Sequence, residues 1–129
     1  MENIIKEIII TKNTLITEIQ KDFNVFYPFL KIEFSTNAKK FLSLKKYEIN
    51  PESRISKITN LANTIQLNVD EERTVAEVEE DCKKLLGLSM QVFRKSGNVW
   101  NAISLTESWT LKSQNTAGEF ISIEMASSA

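Results

Sequence analysis

Two stretches of the chain carry the same apolar stripe 59 residues apart, and no other feature constrains the fold as tightly. Ile16, Ile19, Phe23 and Phe26 recur at i, i+3, i+7 and i+10, with Tyr27 beside the last. Val75, Val78, Cys82 and Leu85 repeat that spacing, with Leu86 in the place of Tyr27. Side chains three and four apart share one face of an α-helix, so both stretches read as amphipathic helices with one side to bury. The polar positions correspond too, Glu18 with Glu77 and Asp22 with Asp81. Thr74-Val75-Ala76-Glu77 has the form of a capping box, in which a hydroxyl accepts from the first-turn amides and the glutamate reaches back. Pro28 and Gly87 end the helices by different chemistry. Proline disfavours helix in the residue before it, and glycine takes the left-handed C-terminal position.

The flanks extend the correspondence. Ile8 and Ile10 before the first helix match Leu67 and Val69 before the second, in alternations that fit a strand with one buried face. Phe29–Phe34 and Leu88–Phe93 follow as second strands, although their inward positions agree only after a slip of one residue. Third strands are expected near Lys40–Tyr47 and Asn98–Leu105, with Phe41 matching Trp100 and Leu44 matching Ile103. Gly97-Asn98 supplies a tight hairpin turn before the latter. A second helix then closes each half. Asn50-Pro51-Glu52-Ser53 opens one that carries Ile55, Ile58 and Leu61; Thr106 or Ser108 caps another that carries Trp109, Leu111 and Gln114. Phe120–Met125 alternates like Thr64–Val69 and reads as a last strand.

The expected class is therefore α+β: a tandem βαββα repeat plus a C-terminal strand. Each unit with its following strand spells the ferredoxin-like, split-βαβ order. The strand near 64–70 would be shared, merging two thin half-cores into one mixed sheet of seven strands. A single domain over 1–125 follows, with repeat 1 at 4–63, repeat 2 at 64–118, a closing strand at 119–125 and a disordered tail at 126–129. Two independent lobes are the alternative.

Candidate chemistry is sparse. The chain has 129 residues, no histidine and a single cysteine, Cys82, which removes a Cys/His nucleophile and any zinc site built from several such ligands. Cys82 falls on the apolar stripe and reads as a small buried hydrophobe. Seven acids lie between Asp70 and Asp81, but they lack the alternating ligands and central glycine of a calcium loop. None of the three glycines, Gly87, Gly97 and Gly118, belongs to a phosphate-cradling loop. No catalytic, metal or cofactor-binding residue is assigned, and no cofactor is expected. No apolar run approaches the length of a membrane helix, and Met1–Glu7 lacks the order of a secretory signal, so no membrane association and a cytoplasmic location are expected.

Charge is balanced overall at −1 but unevenly placed, with residues 1–63 at +3 and 64–129 at −4. Lys39, Lys40, Lys45 and Lys46 concentrate positive charge in the first half; Arg94, Lys95 and Trp100 share the hairpin of the second. Trp100 and Trp109 are read in two ways, as core filling or as half-exposed anchors of an interface.

The segment Gln91-Val92-Phe93-Arg94-Lys95-Ser96-Gly97-Asn98-Val99-Trp100, followed by Trp109-Thr110-Leu111-Lys112-Ser113-Gln114-Asn115, resembles a family of small uncharacterised bacterial proteins sharing this hairpin and helix. The resemblance implies that the hairpin belongs to a common framework. It implies no activity and no site residue.

The leading functional reading is a non-enzymatic protein-interaction or scaffolding module, with a protein partner or self-association through exposed strand edges and opposite charges. Its candidate surface comprises Lys39, Lys40, Lys45, Lys46, Arg94, Lys95, Trp100 and Trp109. The alternative is nucleic-acid binding through residues 39–46 or the Arg94–Trp100 hairpin. The βαββαβ order is also that of RNA-recognition modules, but their glycine- and aromatic-rich strand is missing here. An enzyme of unknown class is the third reading.

Overall fold

The computed structural model describes residues 5–36 and 49–127 of the chain. Its elements, in order, are β1 (Glu7–Ile10), α1 (Ile16–Phe26), β2 (Leu30–Ser35), a 3-10 turn (Ile55–Lys57), β3 (Ile65–Asn68), α2 (Val75–Leu86), β4 (Ser89–Ser96), β5 (Val99–Ala102) and α3 (Leu111–Ser127). The class is α+β. The described strands form two antiparallel sheets, β1 with β3, and β2–β4–β5 with β4 in the centre.

The alternation in each strand decides which side it buries. Ile8 and Ile10 of β1 and Leu67 of β3 are fully enclosed, whereas Ile9 and Gln66 face outward. Leu30, Ile32 and Phe34 of β2 and Met90 and Val92 of β4 form the inner side of the larger sheet. Against these surfaces lie Ile16, Ile19 and Phe23 from α1, and Val75, Val78, Cys82 and Leu86 from α2, all in one buried cluster with Ile55 and Leu111. Each large side chain so buried contributes about 1.5–3 kcal/mol.

Both sheets join distant parts of the chain. Ile8 stands opposite Leu67, and Ile32 opposite Val92. α1 has 11 residues and α2 has 12. The inward positions, Leu30, Ile32 and Phe34 of β2 against Met90 and Val92 of β4, keep the one-residue slip seen in the sequence.

The starts of α1 and α2 are closed in parallel ways. Ile16 N donates to Ser53 O at 3.0 Å and Thr17 N to Pro51 O at 2.8 Å; Val75 N donates to Trp109 O at 3.2 Å and Ala76 N to Glu107 O at 2.9 Å. A backbone loop thus satisfies first-turn amides that have no partner within the helix. α2 adds a capping box: Glu77 N donates to Thr74 Oγ1 at 3.1 Å, and Thr74 N to Glu77 Oε1 at 2.9 Å. These bonds hold the Glu77 carboxyl below the usual carboxylate range. In α1, Leu15 has no acceptor, and Glu18 alone reaches back to its amide at 2.9 Å. Gly87, at φ +71°, closes α2.

Four expectations change. The described strands are five in two antiparallel sheets, not seven in one mixed sheet, and within them β3 pairs only with β1. The segment expected as a second helix from Pro51 is a turn followed by the three-residue 3-10 turn, because the Pro51 and Ser53 carbonyls are occupied by α1. The cap of α3 is Thr110, whose Oγ1 accepts from Ser113 N at 3.1 Å, rather than Thr106 or Ser108. Residues 120–125, expected as the closing strand, continue α3 to Ser127. A capped helix extends at one hydrogen bond per residue fixed, which a lone strand cannot match. Gly118 lets α3 approach closely: a Cβ there would stand 2.9 Å from Phe29 Cβ and 3.1 Å from Phe29 O. The strand expected near 40–47 lies outside the described residues.

Candidate functional site

Register places one aromatic cluster on the outer side of the β2–β4–β5 sheet. Lys31 of β2 lies opposite Phe93 of β4, and Lys95 lies opposite Trp100 of β5. All four alternate away from the side carrying Ile32 and Val92. The Lys31 ammonium sits 5.3 Å from the Phe93 ring centroid and 5.3 Å from that of Trp100; Lys95 Nζ is 5.9 Å from Trp100. A cation over an indole face is held by the ring quadrupole, by about 0.5–1 kcal/mol at an exposed site. Glu33, on the same side, reaches Lys31 at 3.8 Å, an exposed pair of small energetic weight.

Arg94 points the other way, toward α3. Its Nη1 donates to Gln114 Oε1 at 3.0 Å, and Gln114 is completely buried. Gln114 Nε2 donates in turn to Thr106 O at 2.7 Å and Thr106 Oγ1 at 2.8 Å. The hairpin therefore brings Lys95 and Trp100 together but sets Arg94 on the opposite side. Trp109 stands in the loop before α3, 44% exposed, with its carbonyl closing α2. Neither tryptophan enters the buried cluster, which corrects the core-filling reading. Lys39, Lys40, Lys45 and Lys46 lie outside the described residues.

The outer edge of β2 is covered by side chains. Lys95 N donates to Phe29 O at 2.9 Å, which fixes the odd-numbered residues of β2 toward β4 and the even-numbered ones away from it. On the far edge, Leu30 O accepts from Asn24 Nδ2 at 2.9 Å, and Ile32 O from Gln20 Nε2 at 3.0 Å. Capping edge carbonyls in this way blunts pairing with another chain.

Glu79 of α2 does related work on β4. Its Oε2 accepts from Val92 N at 3.3 Å, while Val92 O accepts from Ile103 N at 3.0 Å and Gln91 Nε2 donates to Ile103 O at 3.1 Å. Side chains replace half of the ladder where β5 ends. Burial pushes the Glu79 carboxyl up to about 7, opposed by the bond from Val92 and aided by Glu107.

Other candidate chemistry does not assemble. Cys82 is fully enclosed and its thiol is pushed up to about 12 by burial, so it carries no thiolate at neutral pH. No group of three or more acids or cysteines that could hold a metal occurs among the described residues. No helix there is long and apolar enough to cross a membrane. One hollow, about 670 Å³ between Asn60–Gln66 and Lys84–Leu85, is a shallow depression whose one charged lining group, Lys84, already pairs with Glu80 at 3.3 Å.

Lys31, Glu79 and Gln114 were missed as site residues by sequence reasoning. Lys31 joins the aromatic pair only through the β2–β4 register, which no local pattern encodes. Gln114 carried a signal: a polar residue on the buried stripe of a helix needs a partner.

No family model, curated protein or solved structure matches the chain.

Proposed function

We propose that the protein is a non-enzymatic interaction module that docks an acidic protein segment on the outer side of the β2–β4–β5 sheet. One observation carries this reading: the ammonium groups of Lys31 and Lys95 lie over the Trp100 ring on the side away from the helices. A half-buried tryptophan framed by cations has the composition of an interface hot spot. The lysines favour a partner rich in carboxylates, which displaces little besides the weak Lys31–Glu33 pair. A second copy of the chain can supply such a surface through Glu72, Glu77 and Glu80, exposed on and before α2.

We infer further that the chain arose by duplication of a βαβ-containing unit. The parallel closing of α1 and α2 and the facing of Ile8 with Leu67 support that reading.

Nucleic-acid binding is the second reading, because bases stack on strand-borne aromatics and lysines meet phosphates. The overall charge of −1 and the presence of Glu33 on the same surface favour the protein partner. Sedimentation velocity at low and high salt, with wild type and Lys31→Glu, tests self-association. Titration with a short glutamate-rich peptide and with a short oligonucleotide separates the remaining partners. Binding of the oligonucleotide alone, with a steep salt slope, would overturn the protein-docking reading.

A further inference from the structure

We propose that the cleft beside Arg94 is a carboxylate-binding site, separate from the aromatic surface on the other side of the sheet. The cleft encloses about 240 Å³ and is lined by Arg94, Asn101, Ala102, Ile103, Ser104, Leu105 and Thr106. That volume accommodates one small acid, or one acidic side chain.

Arg94 is half-buried, and no described carboxylate lies within ion-pair distance of it. A guanidinium offers five N–H donors in a planar fork; here one of them is directed to Gln114. A cation drawn out of bulk water with a neutral amide as its protein partner attracts an oxyanion more strongly than a fully solvated one does.

The Gln114 amide is fixed in orientation by Thr106. With its nitrogen bound to Thr106 O and Oγ1, its oxygen must face Arg94. One buried glutamine therefore holds both the cation and the loop that forms the far wall of the cleft. Asn101, whose Nδ2 donates one proton to Ser96 Oγ at 3.2 Å and keeps a second, and Ser104 with its hydroxyl add polar groups to the lining that can bond the remaining lone pairs of a carboxylate.

The equivalent place in the first half has no such device. The helix side of β2 is apolar throughout, Phe34 included, and Ile58 follows the 3-10 turn where Gln114 lies in the first turn of α3. Phe34 is buried and Ile58 packs against the core. An apolar residue at that position suffices to hold the first half. The polar pair in the second half is thus an addition that the architecture does not require.

The test is an NMR titration of the full chain, following the Arg94 Nε–H, Gln114 Nε2 and Asn101 Nδ2 signals. Acetate and succinate represent the free acid, a short glutamate peptide represents a protein side chain, and sodium chloride at equal ionic strength is the control. Saturable shifts with the acids, absent in chloride and weakened about tenfold or more in Arg94→Gln, are expected. The shifts should persist in Trp100→Ala, since the cleft does not depend on the aromatic surface. Linear shifts equal to those in chloride, or unchanged affinity in Arg94→Gln, would overturn the assignment. Should Arg94→Gln fail to fold, Arg94→Lys keeps the stem and charge but loses the fork, and unchanged affinity there would overturn it equally.

Discussion

Lys31 Nζ lies 5.3 Å from the Trp100 ring centroid although the two residues belong to strands separated by β4. The long lysine stem spans the central strand and covers Phe93 on the way. This contact holds the indole in place without enclosing it.

Trp100→Ala should cost about 1–2 kcal/mol, because the indole is partly covered on the sheet surface but lies outside the buried cluster. Phe23→Ala, in the fully buried cluster, should cost about 3–5 kcal/mol. Urea denaturation followed by circular dichroism measures both. A comparable loss from each would mean that Trp100 belongs to the core.

The two helix starts differ in one checkable way. Thr74→Ala removes the acceptor for Glu77 N and should cost about 1 kcal/mol in the same urea experiment. Leu15→Ala, at the corresponding position of α1, removes no capping acceptor, because Leu15 has none. The loop carbonyls of Ser53 and Pro51 still close that helix.

Glu79 makes stability depend on pH in a defined direction. Its carboxyl titrates at about 7 in the folded protein and near 4.5 when unfolded, so the folded state binds the extra proton between those values. Its contribution is present in full below the unfolded value and is lost as pH rises through 7. Partial solvent contact reduces the effect to about 1–2 kcal/mol. Glu79→Gln should remove this fall between pH 5 and 8 and stabilise the protein at pH 8, measured as the thermal midpoint across pH. An identical pH profile in wild type and Glu79→Gln would exclude the assignment.

Tyr27 ties the end of α1 to the segment after β3. Its hydroxyl donates to Val69 O at 2.6 Å in the interior, and burial with nearby Asp70, Glu71 and Glu72 keeps the phenol protonated. Tyr27→Phe should leave that carbonyl unpaired and cost about 1–3 kcal/mol. A neutral result would mean that water replaces the bond.

Much of this architecture is legible in the sequence where a period is long and capped. α1 and α2 show through three turns of stripe, and Thr74 with Glu77 marks a start. Shorter signals mislead. Phe120–Met125 is only six residues, and alternation over that length does not distinguish a strand from the tail of a helix that Thr110 has already started. Asn50-Pro51 resembles a helix start, but Asn50 Oδ1 accepts from Glu52 N at 3.0 Å in a local turn, and the following carbonyls serve α1. The candidate site was legible in part. Lys95 and Trp100 sit across a recognisable hairpin, whereas Lys31 meets them through pairing with a strand about sixty residues away in sequence.

The most direct test of the docking surface uses Trp109→Phe, which leaves Trp100 as the one tryptophan. Its emission should change saturably on titration with a short glutamate-rich peptide at low salt. The change should be suppressed by salt and lost in the Lys31→Glu, Lys95→Glu background. Emission that stays constant with the peptide, or that responds to an oligonucleotide instead, would contradict the account.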